Sequence, residues 1–202
     1  MKKLLLFVFL LSTVLSYGQS DTLVKWSFAD SAVAVGVLSN GGIAANLGIA
    51  ITVVGTNPIS CGYAGATTWS ARSTGWDAGN GTKYFLVNLS TSNYSGLKIS
   101  SKQRSSSTGP KDFKVQYGTS ASGPWTDVPS AAVADSNDWT HGVLADVALP
   151  VACENLPALY LRWVQTSDIA VNGSAVASTG SSRIDDISVT GVLTTGVSSS
   201  AS

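Results

Sequence analysis

From Val24 to Val189 the chain repeatedly changes face at every second residue. Val24, Trp26 and Phe28 alternate with Lys25 and Ser27. Phe85, Val87 and Leu89 do the same with polar neighbours, and Leu97 and Ile99 alternate with Lys98 and Ser100, followed by Lys102 and Arg104. Phe113, Val115 and Tyr117 flank Lys114 and Gln116. Leu161 and Trp163 alternate with Tyr160 and Arg162, and Ile187 and Val189 close the series. A period of two means strands with one dry and one wet face, and no segment sustains the 3.6-residue period of a helix. Turn signals punctuate these runs: Asn40-Gly41-Gly42, Asn80-Gly81, Thr108-Gly109-Pro110, Ser122-Gly123-Pro124 and Asn172-Gly173. Glu154 is the only glutamate, whereas Val, Thr, Ser and aromatics, which suit strands, dominate. About eight to ten strands at this spacing predict an all-β fold, a two-sheet antiparallel β-sandwich of jelly-roll type. Ala45 to Gly55 reads as a strand preceded by a loop, an insertion at a sheet edge.

The N-terminus follows a different grammar. Lys2 and Lys3 precede an almost unbroken apolar run from Leu4 to Leu15, and Ser16-Tyr17-Gly18 places small residues before Gln19. That is the pattern of a secretory signal peptide, too short for the roughly 20 apolar residues of a membrane span. The expected organisation is a signal peptide over 1–18, one β-sandwich over 19–192, and a Ser/Thr/Gly-rich linker or tail over 193–202. The product is expected to be secreted or at the cell surface, with no membrane span, and a further domain can follow the linker.

Twelve basic residues balance twelve acidic ones, so no global field attracts a polyanion and nucleic acid is not an expected partner. Cys61 and Cys153 are the only cysteines. In an exported chain an even count favours a disulfide, the alternative being two separate buried thiols. Pairing would close a loop of roughly 90 residues and stabilise by about 4 kcal/mol on the chain-entropy model. Two cysteines and the lone His141 do not make a zinc site.

The segment from Leu97 through Lys102, Arg104, Gly109-Pro110 and Phe113 to Tyr117 resembles a strand–turn–strand of exported bacterial β-sandwich modules. Gly123-Pro-Trp-Thr-Asp-Val128, Leu149-Pro150, Tyr160-Leu-Arg-Trp163 and Ser182-Arg-Ile-Asp-Asp-Ile-Ser-Val-Thr-Gly191 match the same kind of module in order, as does Val24-Lys-Trp-Ser-Phe28. The resemblance covers the chain from Lys83 to Gly191. Such modules look like galactose-binding-like or carbohydrate-binding-module jelly rolls. The likeness implies a non-catalytic domain that stands beside a catalytic or sorting domain.

Three constellations could carry chemistry. The first is acidic. Asp185 shares the parity of Ile187 and Val189, Asp186 adjoins it, and Asp30 shares the parity of Trp26 and Phe28. An inward carboxylate needs a partner. Modules of the resembling kind often hold a structural calcium where first and last strands meet, making Asp30, Asp185 and Asp186 candidate metal ligands. The competing reading is an ion pair between Asp185 and Arg183.

The second is aromatic. Trp26 and Trp163 read as core, whereas Trp69, Trp76, Trp125 and Trp139 lie near turns. Sugar rings stack on aromatic faces, so Trp69, Trp76 and Trp139, with Arg72 and Asp77 as polar partners, are the candidate glycan contacts. The alternative is that these rings plug the ends of the sandwich. The third is basic. Lys98, Lys102 and Arg104, near Lys111 and Lys114, form a wet positive face, either a solvated guard on a strand edge or a contact for a phosphate or acidic glycan.

Catalysis has little support. His141 stands alone, no Gly-x-Ser-x-Gly elbow occurs, and the adjacent Asp185 and Asp186 cannot face each other across a cleft. The expected role is an exported, non-catalytic module binding a carbohydrate or surface polymer. The alternatives are a structural spacer or adhesion domain, or the accessory domain of a larger secreted hydrolase or nuclease.

Overall fold

A computed structural model describes residues 19–194. The expected signal peptide, and the tail from residue 195 onward, lie outside the described residues.

Two antiparallel sheets face each other. The larger, seven-stranded sheet takes β1 (Ser20–Trp26), β2 (Gly41–Gly42), β4 (Ser60–Ala64), β5 (Trp69–Thr74), β7 (Tyr94–Ser105), β10 (Gly142–Ala148) and β12 (Ser181–Leu193). Its main path runs β10-β7-β12-β1-β2, and the β4–β5 hairpin joins through β5 to the first half of β12. The smaller sheet runs in the order β3 (Thr52–Val54), β6 (Tyr84–Leu89), β11 (Leu159–Gln165), β8 (Asp112–Gly118) and β9 (Thr126–Ala134). The expected two-sheet sandwich is therefore observed. The segment around Ala45 to Gly55 supplies the edge strand β3 after a short helical turn, Ala44–Asn46.

The inward residues of the alternating runs meet between the sheets. Phe85, Val87, Leu159, Leu161, Trp163, Phe113 and Val115 pack from one side, and Val24, Trp26, Leu97, Ile99, Ile184, Ile187 and Val189 from the other. Trp26, Trp76 and Trp163 are fully buried, and each indole N–H is satisfied. Trp26 donates to the Ile49 carbonyl at 2.8 Å, Trp76 to the Ser73 carbonyl at 3.0 Å, and Trp163 to Ser101 Oγ at 3.1 Å.

Two breaks in alternation correct the parity argument. Phe28 is buried with φ of 46°, left-handed for a bulky residue, so β1 ends at Trp26 and Asp30 falls in an exposed loop. In β12 a bulge lies between Asp185 and Ser188 opposite β7, with Asp186 at φ of 48°. One extra residue there lets both Ile184 and Ile187 face the core and turns Asp185 to the outer side of the sheet, where the β4–β5 turn covers it and it stays fully buried. The domain also runs past residue 192: Leu193 pairs with Tyr94, and Thr194 N–H donates to the Asn93 carbonyl at 2.7 Å.

Candidate functional site

Antiparallel register dictates what the outer face of the smaller sheet presents. Leu86, Arg162 and Gln116 lie opposite one another on β6, β11 and β8, and Gln116 in turn faces Asp127 on β9. One step along the strands, Tyr84, Val164 and Lys114 form the next row, and Tyr160 stands opposite Asn88 and Gly118 on the other side. These residues alternate with those that build the core and form the outer face of the sheet, on which Val164 and Gln116 are nonetheless buried.

Their side chains form one connected network. Arg162 lies 4.7 Å from the Tyr84 ring centroid and 4.4 Å from that of Trp125, and the two rings are themselves 6.1 Å apart and tilted by 60°, so the guanidinium sits in the corner between them. It donates from Nε at 2.8 Å and from a terminal nitrogen at 2.6 Å to Gln116 Oε1. Gln116 in turn donates to Asp127 Oδ1 at 2.5 Å, and Lys114 reaches Asp127 Oδ2 at 2.9 Å. These donors, Gln116 foremost, hold the Asp127 carboxyl below the usual carboxylate range. Partial burial lowers the Arg162 pKa, opposed by Tyr84 and Asp127. Beside the network lies a cleft of about 350 Å³ lined by Asn80, Lys114, Gln116, Arg162 and Thr166. The Arg162 guanidinium, the Gln116 amide and the Lys114 ammonium line the cleft, and the half-buried Tyr84 and Trp125 rings and the Asp127 carboxylate adjoin these residues outside it. Such groups together can hold a hydroxyl-rich, partly apolar ligand.

The aromatic residues selected from sequence are dispersed by the fold. Trp76 is core, 5.1 Å from Phe85 and edge-on to Phe113 at 5.4 Å. It offers no surface, because its ring turns from the β5–β6 connection into the core and is fully buried there. Trp69 is partly buried against the core. Asp77 is 3.7 Å from Lys83 Nζ, which is held by the carbonyls of Gly75 and Asp77. Arg72 lies on the larger sheet beside Tyr63, and Trp139 lies in the β9–β10 connection beside Arg104. Only Trp125, noted among the turn tryptophans but not chosen, reaches the cleft face. Tyr160, Arg162 and Gln116 were missed although each is the polar partner in a run whose apolar half was read correctly.

The acidic triplet does not converge. Asp30 accepts the Ala32 N–H at 2.8 Å in its own exposed loop. Asp185 accepts the N–H groups of Ala66 at 2.7 Å and Thr67 at 3.3 Å, and also that of Asp186 at 2.7 Å. Gly65 permits this approach, since a Cβ there would strike both the Trp69 carbonyl and Asp185. Asp186 is paired with Lys102 at 3.0 Å and accepts from Thr67 Oγ1 at 3.0 Å. Their oxygens thus face N–H, hydroxyl and ammonium donors, and among the described residues no three His, Cys, Asp or Glu side chains group around one point. That donor set does not fit a shared calcium. The Asp185–Arg183 ion pair does not form either.

The expected disulfide is corrected: both cysteines are free thiols. Cys61 sits in β4 against Gly36, within reach of the Asp30 charge, whereas Cys153 closes the helical turn Val151–Cys153, where its carbonyl accepts from Thr91. Burial raises both thiols, that of Cys153 to about 12, so neither is an activated nucleophile. His141 is exposed, its Nδ1 2.9 Å from Asp138, in a turn that includes Thr140.

Among solved structures, the chain is similar to the CBM22-1 xylan-binding domain of Xyn10C from Paenibacillus barcinonensis, with a TM-score of 0.52 and 13% identity over 90% of this chain and 100% of that one. It is also similar to the CBM22-1-CBM22-2 tandem domain of the same protein, with a TM-score of 0.53 and 14% identity over 95% of this chain and 50% of that one. No family model matches the chain, and no curated protein matches it in sequence. The likeness establishes the fold: a β-sandwich of the kind found in carbohydrate-binding modules.

Proposed function

We propose that this protein is a non-catalytic carbohydrate-binding module whose glycan site is the outer face of the five-stranded sheet. The observation that carries the reading is the Tyr84–Arg162–Trp125 cluster beside the cleft. It presents half-buried rings on a rigid sheet, with Gln116, Asp127 and Lys114 ordered around them. Rings of this kind receive the apolar face of a pyranose, and the ordered polar groups take its hydroxyls. The fold neighbour is described as xylan-binding, so neutral linear glycans are the first ligand class to test. No group on this face is set up as a nucleophile with an adjacent base, which favours binding over turnover. The module would act outside the cytoplasm, exported by the segment before Gln19. Among the described residues no helix is long and apolar enough to cross a membrane.

The test is a panel of neutral polysaccharides, including xylan and β-glucans, read by affinity electrophoresis. Saturable retention by one class is expected. Trp125→Ala and Tyr84→Ala should each weaken it by about tenfold or more while the fold is kept. Retention unchanged in both variants would move the site elsewhere. No retention by any neutral glycan would overturn the reading.

A further inference from the structure

The larger sheet carries an unusual row on its outer face. Arg72 on β5 lies opposite Arg183 on β12, and Arg183 lies opposite Arg104 on β7. Directly opposed residues point to the same side, and neighbouring strands stand about 4.8 Å apart. Three guanidiniums therefore line up across three adjacent strands at roughly one strand spacing each. Their chain neighbours Ser73, Ser182, Ile184, Gln103 and Ser105 face inward and are buried, which fixes the arginines outward.

Like charges directly opposed across a sheet are destabilising, and a fold normally answers them with carboxylates. Here it does not. Among the described residues none of the three arginines has an ion-pair partner; the salt bridges are those of Lys83, Lys102, Lys114 and His141. The two carboxylates nearest in register are otherwise engaged, Asp185 with backbone N–H groups and Asp186 with Lys102. Arg183 meets only the Ala64 carbonyl at 3.3 Å, Arg104 meets Asn137, and the buried Nε of Arg72 has no partner. Burial and the two neighbouring arginines together lower the Arg183 pKa. The row is bounded by aromatics. Tyr63 stacks on Arg72 at 4.6 Å and Arg183 at 5.1 Å, and Trp139 stands 5.8 Å from Arg104. The rings limit the freedom of the guanidiniums and so lower the entropy cost of using them.

We infer that this row is a second binding site, for an acidic polysaccharide whose carboxylate or sulfate groups dock along Arg72, Arg183 and Arg104. Each guanidinium is a planar fork suited to an oxyanion, and a straight row suits a linear chain bearing one anion per one or two rings. A nucleic acid fits less well. The chain has no net basic surplus. The basic strand noted in the sequence contributes only Arg104. Lys98 is exposed further along β7, Lys102 is neutralised, and Lys114 belongs to the other sheet. Nor does β7 guard an edge, since it runs between β10 and β12. This site does not rest on the neutral-glycan reading of the opposite sheet.

The experiment is affinity electrophoresis of the purified protein in polygalacturonate, in chondroitin sulfate and with duplex DNA, at low and at moderate salt. Retention by at least one acidic glycan is expected. Arg72→Gln, Arg104→Gln and Arg183→Gln should each weaken it by about tenfold or more, whereas Trp125→Ala and Lys111→Gln should leave it unchanged. Polygalacturonate alone would assign a carboxylate-bearing ligand, chondroitin sulfate alone a sulfate-dependent one. As a second readout free of folding artefacts, the retained glycan should raise the Tm of the parent protein and not of the arginine variants. The inference is overturned by no retention in either acidic glycan, by equal retention of the arginine variants, or by DNA retained as tightly as the glycans.

Discussion

Asp135 occupies a position that disfavours its charged form. It is buried, its Oδ2 accepts from Ser105 Oγ at 2.9 Å, and its Oδ1 has no partner. Burial, with a smaller contribution from the charge of Asp112, pushes its carboxyl well above the usual range. Burial likewise raises Asp185 to about 6, against the pull of its N–H donors. For both, the folded state keeps a proton that the unfolded state releases near pH 4. The stability they confer is complete below that point and is lost as pH rises through the folded pKa, near 6 for Asp185. Asp127 and Asp138 act in the opposite sense. Gln116 and Lys114 hold the first below the usual range, and His141 and Thr140 hold the second, so their contribution disappears as pH falls below about 4. Urea unfolding should therefore show stability rising from pH 7 to pH 5, on the order of 1–2 kcal/mol, then falling below about pH 3.5. A flat or rising profile from pH 5 to pH 7 would contradict the burial of Asp135 as a neutral acid.

The element that organises the larger sheet is β12. Its first half pairs with β5 and its second half with β1, while β7 runs along its other side. The bulge at Asp185 and Asp186 is the point where this exchange of partners happens, and it is also where the β4–β5 turn is tied down. Asp185→Ala would leave the Ala66 and Thr67 N–H groups without their acceptor, at a cost of about 1–3 kcal/mol. Asp185→Asn keeps one acceptor oxygen and should lose less, a ranking that urea midpoints will check. The alternation of the strands was legible in the sequence because a half-buried strand has no other way to satisfy its two faces. What alternation cannot reveal is a bulge. Read straight through, the pattern places Asp185 between the sheets; the extra residue at Asp186 places it on the outer side of its sheet, still fully buried, where N–H groups of the β4–β5 turn answer its charge instead of a metal. Leu193 failed differently. A Ser/Thr/Gly-rich composition marks a linker, yet pairing with Tyr94 holds this residue in the sheet.

For the whole molecule, the fold was readable and the site was not. Apolar residues declare themselves by period, so the inner faces of both sheets could be written down from the sequence. The outer faces depend on which strands become neighbours, and that is long-range information. Arg162 stands opposite Gln116 across β8 and β11, and Arg183 lies between Arg72 and Arg104, although nothing local links these residues. Proximity to turns grouped Trp76, which the core absorbed, with Trp125, which follows a Ser-Gly-Pro turn and folds back over Arg162, and nothing local told the two apart. The sandwich thus separates two chemistries, an aromatic and hydrogen-bonding face on one sheet and an arginine row on the other. The central claim is that a neutral glycan docks on the five-stranded sheet, and chemical-shift mapping by NMR during titration with xylan- or β-glucan-derived oligosaccharides tests it most directly. Perturbations should centre on Tyr84, Gln116, Trp125, Tyr160 and Arg162, leaving Arg72, Arg104 and Arg183 unmoved. Shifts confined to the larger sheet, or none at saturating oligosaccharide, would contradict it.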